Sequence, residues 1–197
     1  MALAMAGVTS ETPDPPGGRF YRDSNGALTG LVAGPARSVF NSLIPSDSTR
    51  EQRKDGVKLI TELMTKSGLT SVHQTGASRN DMLAYQDARA EGNMRFRMYL
   101  FPRGQLFNDL VNAGVRSGMG DEVFRIGAVK FTADGSASER TMRMSTPFEG
   151  RPDDYGLLYM TEEEIHESVE NAHRNDFQVA IHANGDVTIE MVLNAYQ

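Results

Sequence analysis

Residues 128–134 read Ala-Val-Lys-Phe-Thr-Ala-Asp, and their alternation decides the fold class. From Val129 onward every second residue is apolar. The polar positions between them are Lys130, Thr132 and Asp134. A strand with this pattern buries one face and leaves the other polar. Residues 177–183, Phe-Gln-Val-Ala-Ile-His-Ala, repeat the alternation and place His182 on the polar face. The sequence therefore predicts a sheet with one apolar side and one polar side.

Two earlier segments, 70–75 and 94–101, alternate in the same way, and the first places His73 on the polar face. Helical periodicity separates the four predicted strands. The predicted helices cover residues 80–91, 105–115, 161–175 and 187–196. Strands that alternate with helices in this order form a parallel sheet with right-handed crossovers.

The polar strand faces favour a barrel over an open sheet. In a doubly wound sheet, such as a flavodoxin-like domain, helices cover both faces and the strands are apolar throughout. In a barrel, the apolar faces pack against outer helices, and polar side chains can face a shared interior. The sequence thus predicts an α/β fold with about four parallel βα units of a TIM-type (β/α)8 barrel. A complete barrel needs roughly 200–250 residues, so we expect this chain to hold part of one.

A β-hairpin is predicted before the barrel segment. Its strands are residues 19–22 and 27–32, and the turn between them gives Gly26 a positive φ. A helix is expected at 36–43. The hairpin therefore forms an N-terminal excursion from the barrel.

A longer helix is predicted over residues 48–67. Ser48 is the expected N-cap because Glu51 follows three residues later, and Gly68 ends the helix. The predicted domains are an N-terminal segment with the hairpin and short helix, 1–47, and a partial barrel, 48–197.

Composition excludes several classes of protein. The 20 Lys and Arg against 26 Asp and Glu give a net charge of −6, which argues against a nucleic-acid or anionic-membrane partner. The chain has no cysteine, so a disulfide, a thiolate zinc site and a cysteine nucleophile are excluded. No apolar run approaches the ~18 residues of a membrane-spanning helix. Met1–Val8 lacks a basic leader, so we expect a cytoplasmic protein.

The polar face gathers residues that could carry chemistry. His73, Lys130, Asp134 and His182 share it by parity, close to the carboxyl ends of strands, where barrel enzymes hold their active sites. The long segment 135–159 follows one of these strands, and such loops are commonly functional. The pattern alone also permits structural roles.

Each candidate residue could instead have a purely structural role. Lys130 could pair with Asp134, and His182 could be a core histidine whose hydrogen bonds are satisfied. His73 could serve packing beside the site, and Asp186 could be the N-cap of the last helix. Asp134 and Ser136 could shape the loop that follows them.

Five segments together resemble a known family. They are Thr12-Pro-Asp-Pro-Pro-Gly-Gly18, Gly68-Leu-Thr-Ser-Val-His73, Lys130-Phe-Thr-Ala-Asp-Gly-Ser136, Pro147-Phe148 and Gln178-Val-Ala-Ile-His-Ala-Asn-Gly-Asp186. In this order they resemble the YtcJ-like branch, amidohydrolase family 3, of the metal-dependent amidohydrolase superfamily. The resemblance covers nearly the whole chain.

That resemblance implies a (β/α)8 barrel with one or two divalent metals, zinc first among them, which hydrolyses amide-type C–N bonds through a metal-activated water. The family's ligands are a His-x-His, a Lys that is often carboxylated, two further His and an Asp. Lys130 matches the fourth-strand Lys and His182 the fifth-strand His. The resemblance makes the remaining polar residues candidates for contacts to these ligands or to substrate: His73, Asp134, Ser136 and Asp186.

Other family ligands have no counterpart in this sequence. It contains no His-x-His, and neither the sixth-strand His nor the eighth-strand Asp is matched. Gln74 stands where the family has Asp, and residues 137–139 replace its Gly and Leu. We therefore assign no catalytic residue within the chain, and we expect weak or absent metal binding and no activity from the chain alone.

Two functional classes follow from this reading. The chain is either a piece of a metal-dependent amidohydrolase or a non-catalytic half-barrel that acts as a binding or assembly module. Metal content and intact mass would separate them. The complete enzyme would take a small-molecule substrate. Because an incomplete barrel leaves unpaired strand edges, we also expect a homo-oligomer or a missing companion segment, and no nucleic-acid or membrane partner.

Overall fold

A computed structural model describes residues 1–44 and 48–197. The chain forms two compact units. Unit 1 consists of Met1–Ser46, Thr132–Glu167 and His182–Gln197, and unit 2 consists of Asp47–Phe131 and Ser168–Ile181. The domain division at residue 47, which concerns the family architecture, stays a prediction.

The elements follow the predicted order of strands and helices. The strands are β1 (Arg19–Arg22), β2 (Leu28–Ala33), β3 (Ser71–Ala77), β4 (Arg97–Pro102), β5 (Phe124–Ile126), β6 (Val129–Thr132) and β7 (Val179–His182). The α-helices are α1 (Ala2–Met5), α2 (Arg50–Lys66), α3 (Arg79–Ala90), α4 (Gln105–Asn112), α5 (Glu162–Arg174) and α6 (Asp186–Ala195). A 3₁₀ helix covers Gly34–Phe40.

Unit 2 contains a parallel sheet in the order β3–β4–β5. The apolar face of β4 carries Met98 and Leu100, which are buried among Leu106 and Phe107 of α4. The opposite face keeps Arg97 exposed, as the alternation predicts. Burial of one face therefore fixes the register of β4, because a shift by one residue would expose the apolar set.

The strands β6 and β7 form a second pair. The Val129 N–H donates to the Gln178 carbonyl at 2.8 Å, and four residues later the Ala133 N–H donates to the His182 carbonyl at 2.9 Å. Because both strands advance in the same direction, the pair is parallel. The mixed α/β fold with parallel sheets is thus confirmed. The described residues contain no closed barrel, so the partial (β/α)8 barrel stays a prediction.

The N-terminal hairpin lies in unit 1 and is antiparallel, as predicted. Gly26 has a φ of +82° in its turn, which a residue with a side chain rarely adopts. Phe20 of β1 packs with Val8 and Ala36 in a small apolar cluster. The predicted helix at 36–43 is instead a 3₁₀ helix that begins at Gly34.

Two further expectations are corrected by the structure. The strand β5 was not predicted, because three residues are too few to show an alternation. The N-cap of α2 is Thr49 rather than Ser48. Thr49 and Gln52 have the same three-residue spacing as Ser48 and Glu51, and they form both hydrogen bonds of a capping box. Among the described residues, every helix is too short or too polar to span a lipid bilayer.

The capping box of α2 makes a stability prediction. We expect Thr49→Ala to lower the free energy of unfolding by about 1 kcal/mol, since it leaves the Gln52 N–H without its acceptor. The matched control Ser48→Ala should change it by less than about 0.5 kcal/mol. Urea unfolding followed by circular dichroism measures both. A larger loss in Ser48→Ala than in Thr49→Ala would place the cap at Ser48 instead.

Candidate functional site

Asp134 is the centre of a hydrogen-bond network in unit 1. Its side chain is fully buried, although its position on the polar strand face suggested access to an interior. Oδ2 accepts from the Arg143 N–H at 3.0 Å, the Gly185 N–H at 2.8 Å and the Thr188 hydroxyl at 2.7 Å. Oδ1 accepts from the Asn184 N–H at 3.0 Å. These four neutral donors offset the desolvation of the carboxylate.

His182 ends β7 beside this network, and its side chain is 34% exposed. Its Nε2 lies 2.8 Å from the Gly135 carbonyl oxygen and 3.8 Å from Asp134 Oδ1. Nε2 also lies 3.2 Å from Asn184 Nδ2, a donor. Because the carbonyl contact is the shorter of the two and a carbonyl oxygen can only accept, we assign the proton to Nε2. The neutral ring then has a free lone pair on Nδ1, which could bind a cation or accept a proton.

The long loop between β6 and α5 packs closely on the turn that follows β7. A Cβ atom added to Gly185 would lie 1.7 Å from the Arg143 carbonyl oxygen, and one added to Gly156 would lie 1.8 Å from the Met142 carbonyl oxygen. Within the loop, a Cβ atom at Gly135 would lie 2.3 Å from Thr141 Oγ1. Glycine is therefore required at these contacts because backbone occupies the space of a side chain.

Two further carboxylates hold the loop from outside the network. Asp186 accepts from the Ser145 N–H at 2.9 Å and from the Ser145 hydroxyl at 2.5 Å. These bonds hold the pKa of the Asp186 carboxyl below its usual value. Asp186 is the first residue of α6, and Gly185 is the N-cap, so the alternative that Asp186 caps the helix is wrong.

Asp154 forms an ion pair with Arg19, whose Nη1 lies 2.8 Å from Oδ1. Burial alone would raise the pKa of the Asp154 carboxyl. The Arg19 guanidinium and the Gly156 N–H outweigh burial and hold that pKa below its usual value. Since the folded state favours the charged form, this carboxyl stabilises the fold above its unfolded pKa of about 3.9.

This ion pair predicts a pH dependence. The contribution of Asp154 should be complete at neutral pH and be lost as the pH falls through its lowered folded pKa. Asp154→Asn should therefore lower the melting temperature at pH 7 and flatten its decline below about pH 4. Arg19→Gln, which removes the partner, should flatten the same part of the curve. Melting temperatures measured from pH 3 to 7 test this, and three parallel curves would contradict it.

Lys130 belongs to unit 2, and it is half-buried on β6. Its Nζ donates to the Phe131 carbonyl oxygen. Burial, together with the positive charge of Arg103, lowers the pKa of the Lys130 ammonium. A lowered pKa increases the share of neutral, nucleophilic amine. The predicted site shared by Lys130 and His182 stays a prediction.

His73, also in unit 2, lies on the exposed face of β3 and packs against aromatic rings of β4. Its ring centroid is 5.4 Å from that of Tyr99 and 5.3 Å from that of Phe101. Tyr99 donates a hydrogen bond to Gln178 Oε1 at 2.5 Å. His73 also lines a cavity of about 450 Å³ with Arg97 and other residues. These contacts fit the alternative that His73 serves packing.

The remaining predicted residue, Ser136, shapes the loop. Its hydroxyl accepts from the Glu139 N–H at 3.2 Å and lies 3.3 Å from the Ser138 hydroxyl. Sequence reasoning did not predict that Arg143, Asn184, Gly185 and Thr188 donate to Asp134. Asn-Gly directly after a strand signals a tight turn and could have pointed to two of them.

The described residues supply no more than part of a metal centre. Residues 1–44 and 48–197 contain no group of three His, Asp or Glu side chains placed to hold one ion. The Asp134 oxygens are occupied by their four donors, which leaves the Nδ1 lone pair of His182 as the free donor atom of this network. Three or four ligands are usual for a catalytic zinc.

The chain is similar in sequence to several known proteins. The chain is 31% identical over its whole length to YtcJ of Bacillus subtilis (strain 168), a protein assigned to the amidohydrolases. It is 29% identical to LONG AFTER FAR-RED 3 of Arabidopsis thaliana and 26% identical to the N-substituted formamide deformylase of Arthrobacter pascens. Each match covers all of this chain. The chain spans only 37%, 36% and 38% of the length of these three relatives, respectively.

Two solved structures share the fold of this chain. A metal-dependent hydrolase from Pyrococcus horikoshii superposes with a TM-score of 0.73 at 25% identity, over 98% of this chain and 38% of that protein. One from Pyrococcus furiosus superposes with a TM-score of 0.75 at 23% identity, over 99% of this chain and 39% of that protein. The family model described as the amidohydrolase family matches residues 1–197. Together with the motifs around Lys130 and His182, this match shows that the chain belongs to the amidohydrolase family.

Proposed function

We propose that the protein containing this chain hydrolyses amide-type C–N bonds with a bound metal, and that His182 and Lys130 are each candidates for its ligands. The observation that carries the proposal is the orientation of His182. Its Nε2 is held by the Gly135 carbonyl oxygen, which leaves Nδ1 with a free lone pair at the carboxyl end of a parallel strand. Such strand ends are where barrel enzymes hold their reacting groups.

The lowered pKa of the Lys130 ammonium supports a role for this residue as a metal ligand. An ammonium has no lone pair and cannot bind a cation. Burial and Arg103 lower its pKa, which favours the neutral amine that carbon dioxide converts into an anionic carbamate. We expect a carbamate on Lys130 to offer oxygen ligands, with zinc as the first candidate ion.

The chain would be one part of a (β/α)8 barrel. It spans 36–38% of the relatives that it matches, so the remaining ligands would come from other parts of the intact protein. Exposed apolar side chains on helices support a further packing partner: Leu59 and Leu63 of α2, and Ile189 and Leu193 of α6. The rest of the barrel, or a second copy, would cover them.

The activity is tested with the intact protein and formamides that carry an alkyl or aryl group on nitrogen. This choice follows the relative named as an N-substituted formamide deformylase. We expect formate release that chelation abolishes and added zinc restores. A folded intact protein that retains no metal and hydrolyses neither formamides nor longer amides would contradict the proposal. It would favour the alternative of a non-catalytic binding module.

The carbamate is tested separately. Intact protein equilibrated with ¹³C-bicarbonate should show a carbamate carbon signal that disappears in Lys130→Met. Lys58→Met, which changes an exposed lysine of α2, serves as the matched control and should leave the signal unchanged. Persistence of the signal in Lys130→Met would assign the carbamate to another lysine and would remove Lys130 from the proposed centre.

A further inference from the structure

The buried carboxylate of Asp134 joins three separate pieces of unit 1. Arg143 lies in the long loop, Asn184 and Gly185 form the turn after β7, and Thr188 lies in the first turn of α6. Each piece donates to the same carboxylate. A side chain buried so completely would lose most of its hydration, and these donors replace it.

Both oxygens of the Asp134 side chain accept hydrogen bonds from neutral donors. The Gly185 N–H and the Thr188 hydroxyl lie at the N-terminus of α6, where the helix dipole favours negative charge. The four donors are shared between the two oxygens. Oδ2 takes three of them and Oδ1 takes the Asn184 N–H.

Residues of this network lie next to His182 in the chain and next to the acceptor of its hydrogen bond. The acceptor of His182 Nε2 is the carbonyl of Gly135, which directly follows Asp134 in the chain. Asn184, two residues after His182, donates its backbone N–H to Asp134 and its side-chain Nδ2 to the same Gly135 carbonyl at 3.3 Å. The position of that carbonyl relative to the ring thus depends on the carboxylate.

We infer that Asp134 is the positioning residue of the site: it fixes the Gly135 carbonyl against His182 and thereby sets which ring nitrogen keeps its lone pair. The catalytic meaning of this role rests on the proposed function. The ring orientation itself does not, because it can be measured without substrate or metal.

The isosteric variant Asp134→Asn isolates this role. If its amide oxygen takes the place of Oδ2, its NH₂ group faces the Asn184 N–H, and two donors oppose each other. The reverse placement opposes three donors. Either way the turn after β7 must move. Since one hydrogen bond holds the Nε2–H form, we expect the ratio of the two neutral tautomers to shift about 3- to 10-fold toward Nδ1–H.

The measurement uses ¹⁵N-histidine-labelled, metal-free intact protein at a pH where the ring is neutral. Long-range ¹H–¹⁵N spectra distinguish the tautomers, and comparison with His182→Gln assigns the signal. Wild type should show His182 as Nε2–H. The matched control Asp154→Asn also removes a carboxylate that holds the same loop, through Arg19 and Gly156, but it lies outside the Asp134 network. It should leave the His182 signal unchanged.

The outcomes separate the possibilities. A shifted tautomer ratio in Asp134→Asn but not in Asp154→Asn supports the inference. An unchanged Nε2–H signal in folded Asp134→Asn overturns it, as do equal shifts in both variants. If Asp134→Asn fails to fold, Thr188→Val decides, since it removes one donor and keeps the charge. Faster amide exchange at Gly185 with a shifted tautomer ratio then supports the inference, and an unchanged ratio overturns it.

Discussion

Replacing His182 by glutamine should reduce the proposed hydrolase activity of the intact protein by at least about 100-fold, since changes to residues that merely support a ligand already cost 10- to 100-fold. The glutamine amide reaches the position of Nε2 and can donate to the Gly135 carbonyl oxygen, as the imidazole does at 2.8 Å. It offers no atom in place of Nδ1. The fold should therefore persist while the lone pair is lost.

The readouts are kcat/KM with a formamide substrate and the metal content after purification. His166→Gln is the matched control, because it makes the same change at an exposed histidine of α5. We expect that variant to retain full activity and metal. Retention of both by His182→Gln, with an unaltered melting temperature, would remove His182 from the proposed centre.

Gly185→Ala should destabilise the fold by about 3 kcal/mol, at the upper end of the usual cost of overpacking. The added Cβ would lie 1.7 Å from the Arg143 carbonyl oxygen and 2.4 Å from its carbon, and both are backbone atoms that cannot rotate away. The φ of Gly185 is −78°, so the expected loss comes from the steric contact and not from the backbone conformation.

Gly56→Ala is the control for this prediction. Gly56 lies inside α2, and a Cβ added there meets nothing within 4 Å. Because alanine is the better helix former, this variant should gain about 0.5–1 kcal/mol. Urea unfolding of both variants gives opposite signs if the contact at Gly185 is as close as described. A Gly185→Ala protein as stable as wild type would show that the loop can move aside without cost.

Most strands and helices could be predicted from the sequence, because alternation and helical periodicity are patterns of neighbouring residues. Alternation in 128–134 and 177–183 predicted β6 and β7. Alternation in 94–101 predicted which face of β4 is buried. The cap of α2 was misplaced by one residue, because two overlapping pairs satisfy the same spacing rule. Only the hydrogen bonds of the folded helix select between them.

For the candidate site, the sequence likewise predicted some residues but not the contacts between distant segments. The motifs predicted Lys130 and His182 because family membership is carried by residue types in a fixed order. They could not predict that Asp134 is buried and holds Arg143, Gly185 and Thr188, since these residues lie 9, 51 and 54 positions away in the chain. Such contacts exist only after the chain has closed its loops.

The family, the order of strands and helices, and the residue types that could bind an ion were predictable from the sequence. The inward direction of the Asp134 carboxylate and the free Nδ1 of His182 emerge only in the folded structure. The physical reason is that a buried carboxylate needs several donors at once, and these come from segments that meet only in the folded chain.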